Sequence, residues 1–263
     1  MTAIFAILSI VAYAAASFVL MGRLFDKQGP NKILALSLGT VGAISHVLFL
    51  SQSILIEPGQ NMSITNVLSL VSCIIALSML VSATILPNVL LLPAVFGFAA
   101  IGILAAWLIP VSYIMQIDLQ PSLLVHITLS LFAYGTLVMA FLYAIQMSFI
   151  TYKLKHKGVG LLHSSLPPLM LVEQILFKLI LVGTLLLMVS LATGFIFLDN
   201  MFSAQYAHKT VFSLGALALY VTLLVGQKVR GWRGKQVIAL TVSGVVLLTL
   251  AYFGSRIVRE ILL

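Results

Sequence analysis

His126 is followed by Ser130 at i+4 and Tyr134 at i+8 in the run Leu123–Ile150, LLVHITLSLFAYGTLVMAFLYAIQMSFI. At helical spacing these three side chains share one face. A neutral imidazole is a common ligand for transition metals and haem iron, and hydroxyls beside it can orient the ring or bind an acidic group. The run is long enough to cross a bilayer, and an ionisable group at the edge of such a span faces protein rather than lipid. Two readings of His126 stand side by side: a ligand, or a packing histidine hydrogen-bonded to a backbone carbonyl.

The other histidines divide by position. His208, in Tyr206-Ala207-His208-Lys209-Thr210, opens the seventh apolar run and is expected at the same side and depth as His126, where a bis-His site can form. Its alternative is a solvated interfacial residue. His46 is the deepest, with Gly42 and Gly39 at i−4 and i−7 on its face. Small residues there let another helix, or a flat cofactor, approach the backbone; the alternative is a buried, satisfied histidine. His156 and His163 lie among Lys153, Lys155 and Lys157 and are expected to be solvated. The single cysteine, Cys73, excludes an intrachain disulfide and CxxC chemistry and reads as a small core residue.

The elements that position these residues are membrane helices. Hydrophobic residues make up 62% of the chain and charged residues 8%, against about 25% charged in a soluble domain. The fold class is all-α: one integral membrane domain over 1–263, a bundle of about eight spans. Their expected limits are 3–23, 32–56, 63–86, 89–113, 121–152, 168–198, 206–228 and 236–258. Asp26–Pro30, Glu57-Pro58-Gly59, Pro87-Asn88 and Pro110 to Pro121 punctuate the breaks. Asn61 or Ser63 caps the third span, and the Asn61-Met62-Ser63 sequon is read as a cap rather than a glycan site. The fifth and sixth spans outrun a hydrocarbon core, which predicts a helical hairpin projecting around Lys153–Pro168, with Glu173 and Lys178 near the inner interface in reach of water or each other. The first run, Ile4–Met21, lacks a basic flank before it and a small-residue cleavage site after it, and is expected to be retained.

The net charge of +8 falls in short loops, as topology demands, and is not a nucleic-acid footprint. Arg23, Lys27, Lys32, Lys153, Lys155, Lys157, Lys228, Arg230, Arg233 and Lys235 flank one set of connections; Lys209, Arg256 and Arg259 flank the other. The richer set is expected in the cytoplasm and both termini outside. No P-loop, Gly-rich nucleotide fingerprint, G-x-S-x-G or H-E-x-x-H occurs. No carboxylate lies deep in a span, which weighs against a proton-coupled carrier.

Leu119-Gln120-Pro121-Ser122-Leu123-Leu124-Val125-His126, continuing to Leu131-Phe132-Ala133-Tyr134, resembles the haem-handling membrane proteins of the cytochrome c assembly family, of CcsA/HemX type. His208–Ser213 with Gly231-Trp232-Arg233-Gly234 is similar to the HemX branch, and Ala251-Tyr252-Phe253-Gly254 to the last span of larger members. Gly59–Ser63 and Leu166-Pro167-Pro168-Leu169-Met170 resemble the small YpjD-type inner-membrane proteins. Three departures stand out. The tryptophan-rich external motif of the synthases is missing from Leu198–Thr210, since Trp107 and Trp232 are the only tryptophans. Gly226 or Gln227 replaces a membrane histidine, and no external histidine follows Tyr252-Phe253-Gly254.

The resemblance implies a bacterial inner-membrane protein that handles haem b without itself catalysing thioether formation, and is thus no enzyme. His126 would be one axial ligand and His208 or His46 the other, with Ser130 and Tyr134 supporting ring orientation or a propionate. Expected partners are haem, membrane lipid and cytochrome c maturation or other inner-membrane proteins. The competing readings are a cofactor-free accessory subunit and, further off, a small-solute transporter.

Overall fold

The computed structural model describes residues 1–23, 29–57, 59–85, 89–109, 111–116, 120–156, 167–197, 207–254 and 256. Those residues form α1 (Thr2–Met21), α2 (Lys32–Ile54), α3 (Ile64–Ile85), α4 (Leu92–Leu108), α5 (Pro121–His156), α6 (Leu169–Phe197), α7 (Ala207–Arg230) and α8 (Lys235–Thr249). A π-helical turn, Leu250–Gly254, continues α8. Counting that turn with α8, seven of the eight helices are long and apolar enough to cross a membrane, and α4 is shorter at 17 residues. The chain divides into two compact units, Met1–Gln116 with Tyr152–Pro168, and Ile117–Thr151 with Leu169–Leu263.

In the first unit α1 packs on α2 and α4, and α3 on α2 and α4. Asn31 caps α2 by accepting from the Leu34 amide, 3.1 Å. Ser63 rather than Asn61 caps α3: its Oγ accepts from the Asn66 amide at 3.4 Å. Tyr13 of α1 stacks on Phe96 of α4 with centroids 5.2 Å apart, and both rings are fully buried.

Three short strands, β1 (Leu55–Ile56), β2 (Gly59–Asn61) and β3 (Ile114–Met115), form an antiparallel sheet in that order. None was expected from hydropathy, which ran the fourth span to residue 113. Asn61 holds the segment that follows Leu108. Its Oδ1 accepts from the Ser63 and Tyr113 amides at 3.2 and 3.0 Å, and its Nδ2 donates to the Val111 carbonyl at 3.4 Å. Because β3 follows α4 and pairs with the strand that precedes α3, α3 leaves that end of the unit and α4 returns to it. The 17 residues of α4, about 25 Å of helix, therefore complete a full traverse.

In the second unit, α5 runs antiparallel to α6. Leu137 lies against Gly183, where a Cβ would come 2.6 Å from its Cγ, and Ser130 against Ser190. Tyr220 of α7 fills the space over Gly244 of α8 and donates to the Thr241 carbonyl at 3.3 Å. α5 continues to His156, into the stretch where the hairpin is expected; residues 157–166, including His163, lie outside the described residues. Glu173 meets Arg233, Nε to Oε1 3.6 Å, and not Lys178, which five residues on is turned to another face of α6.

Candidate functional site

The residues that could do chemistry fall in both units. His46 belongs to the first, and His126, Ser130, Tyr134 and His208 to the second.

His46 is completely buried. Its Nε2 lies 2.9 Å from Ser69 Oγ on α3, and its Nδ1 3.5 Å from the Tyr13 hydroxyl on α1. A neutral imidazole needs one donor and one acceptor, and the two hydroxyls supply them. The glycines on its face are used for helix packing: a Cβ at Gly42 would stand 2.8 Å from the Tyr13 ring, and one at Gly39 2.5 Å from Phe96. The flat object against this stretch of backbone is thus a tyrosine of the same chain.

His126 is half-buried, and its Nδ1 lies 2.9 Å from the Ser190 carbonyl on α6. A carbonyl only accepts, so Nδ1 carries the proton of the neutral ring, and Nε2 presents its lone pair. No described residue hydrogen-bonds Nε2. Thr193 Oγ1 lies 3.4 Å from Nδ1 and donates to the same carbonyl at 2.8 Å. One turn further, Ser130 Oγ and Ser190 Oγ are 2.6 Å apart and buried. A second turn on, Tyr134 meets Thr249 Oγ1 at 3.0 Å. The Thr249 proton goes to the Val245 carbonyl, so Tyr134 is the donor. The π-helical turn sets Tyr252 at a stacked 5.1 Å and Phe253 at a tilted 5.8 Å from the Tyr134 ring. The shared face of His126, Ser130 and Tyr134 therefore holds, and every member has a polar partner across it. Hydropathy gave no sign of Ser190, Thr193 and Thr249, which sit among apolar neighbours. The signal available was a hydroxyl recurring at short intervals on facing spans.

His208 stands in the first turn of α7 and His126 in the second turn of α5, so the two share one end of the unit. His208 Nε2 is buried and has no hydrogen-bond partner among the described residues. A buried imidazole nitrogen without a partner is costly, about 1–3 kcal/mol, unless something else occupies its lone pair. No group of three or more His, Cys, Asp or Glu that could hold a bare metal ion occurs among the described residues.

Residues 34–263 match the family described as Cytochrome C assembly protein. Over 261 residues, 98% of this chain and 99% of the relative, the chain is 40% identical to "Inner membrane protein YpjD" of Escherichia coli K12, and equally to the proteins of that name from strains O6:H1 and O157:H7. No solved structure matches the chain.

Proposed function

We propose, for a chain that belongs to the cytochrome c assembly family, that the second unit holds haem b through His126 and hands it on or reports it at the inner membrane. The observation that carries this is the bond from His126 Nδ1 to the Ser190 carbonyl. It is the arrangement by which proteins orient a ligating histidine: one nitrogen is tied to a backbone carbonyl and the other left for the iron. The buried, partnerless Nε2 of His208 supports a second ligand from the same end of the unit. His46 is left out of the set, because ligation would cost it Ser69 or Tyr13.

Bound haem would supply an iron that takes two imidazoles and carboxylates that take hydroxyl donors. The chain's own part is orientation. Ser190 fixes the tautomer of His126, Thr193 packs beside the ring, and Tyr134 with Tyr252 walls the inner side. Among the described residues no nucleophile or acid–base pair for thioether formation accompanies these side chains, and the synthase tryptophans are missing from the sequence. The role we assign is therefore carriage or regulation rather than catalysis, with His126 on the outer side and both termini outside.

The test is the absorption spectrum and pyridine haemochrome of protein purified from haem-supplied cells. A stoichiometric Soret band is expected. His126→Ala abolishes it, His208→Ala shifts it and weakens retention, and His46→Ala leaves it in place. A colourless wild type that also fails to take up added haem overturns the proposal in favour of a cofactor-free accessory subunit.

A further inference from the structure

The end of the second unit away from His126 has a separate chemistry. Glu173 is its only described acidic side chain, and Arg233 occupies it. Lys178 lies five residues further along α6, about 7.5 Å deeper, within a helix long and apolar enough to cross a membrane. It is exposed on the helix surface with no carboxylate within 4.0 Å among the described residues. A lysine there settles with its ammonium at the interface, where a lipid phosphate is an anionic partner at hand. Side chains of a helix lean toward its N-terminus, and the N-terminus of α6 lies at this end, so the Lys178 stem runs along apolar surface toward the headgroup layer.

The neighbouring helices bring more charge to the same end of the unit. Lys228 and Arg230 stand exposed in the last turn of α7, and Lys235 opens α8. Their frame is tightly built. Gly231 and Gly234 adopt φ of +64° and +63°, and the Trp232 ring lies directly on Gly226, where no Cβ fits. Trp232 is half-buried, as an interfacial tryptophan between an apolar and a wet layer would be.

We infer that Lys178, Lys228 and Arg230 bind the phosphate of an anionic phospholipid headgroup, held beside the Trp232 turn. Positive-inside topology alone accounts for basic residues in the loop, but not for an exposed lysine more than two turns into α6 while the carboxylate described at this end pairs with Arg233. The site is independent of the haem reading and stands or falls without it.

The test reconstitutes the full chain in nanodiscs of mixed phosphatidylglycerol and phosphatidylcholine and counts retained lipids by native mass spectrometry. Phosphatidylglycerol is expected to be retained preferentially. Lys178→Gln should lower that preference about fivefold, the worth of one basic residue near an anionic surface. Lys178→Arg should keep it, and the double variant Lys228→Gln/Arg230→Gln should lower it further. Arg23→Gln, an exposed cation of the other unit, serves as the control for general charge. Equal retention of the two lipids, or a loss no greater in Lys178→Gln than in Arg23→Gln, overturns the inference. Displacement of the lipid by inorganic phosphate alone would assign a free-anion site and overturn the lipid.

Discussion

Ser190 makes two of the site's contacts at once, its carbonyl on His126 and its hydroxyl on Ser130. Only one partner of each pair was legible beforehand. Histidine in an apolar run is conspicuous because its burial needs a reason, whereas serine is common in membrane helices and shows its role only when its neighbour is known. Gly42 presents the converse case. Its small size signalled a close approach, and the approach is real, but the object is Tyr13 and not a cofactor. Tyr13 cannot swing aside, since it is fully buried and stacked on Phe96. Gly42→Ala should therefore destabilise the first unit by about 1–3 kcal/mol through overpacking. Cys73 reports on the same unit: it is 2% exposed and the only cysteine. The temperature at which it reacts with a thiol-specific fluorophore in detergent should fall in the variant, and an unchanged midpoint would show that the ring yields freely.

At the scale of elements, hydropathy placed all eight helices, because a long apolar run in lipid has no other way to satisfy its backbone. It misjudged the end of the fourth. Pro110 marks the break locally, and what holds the segment after it is a hydrogen-bond acceptor fifty residues away in sequence, outside any local window. Asn61 is that acceptor and a donor as well, so its variants separate the two roles. Asn61→Ala removes the acceptor of the part-buried Ser63 and Tyr113 amides and should speed their hydrogen exchange together with that of β3. Asn61→Asp keeps the acceptor and loses only the long bond to Val111, so its exchange pattern should stay near the parent's. Equal acceleration in both variants would mean that the strands, not the side chain, hold the segment. The Ser63 cap and the Asn61 hub also give both polar residues of the sequon a structural task.

At the scale of the whole molecule, the number of traverses decides which side each chemistry faces. Had α4 been a half-span, seven crossings would have put the termini on opposite sides, and the distribution of Lys and Arg would have conflicted with itself. The β2–β3 pairing removes that conflict, because it returns α4 to the end from which α3 departs. Within the first unit, the connection 55–63 at the sheet end holds no Lys or Arg, whereas the connection at the other end holds Arg23, Lys27 and Lys32. Ten basic residues against three favour a cytoplasmic basic end, even with Arg256 and Arg259 opposing it. The orientation follows as a prediction open to direct labelling. In a Cys73→Ala background, Leu55→Cys, at the exposed start of β1, should react with a membrane-impermeant maleimide in intact cells. Arg230→Cys, at the exposed end of α7, should react only after permeabilisation. Leu55→Cys reacting only after permeabilisation would put the sheet in the cytoplasm, and Arg230→Cys reacting in intact cells would turn His126 inward, so that any haem it held would be met from the side of synthesis and not of delivery. The same labelling thus tests topology and fixes the direction in which a haem-holding unit could work.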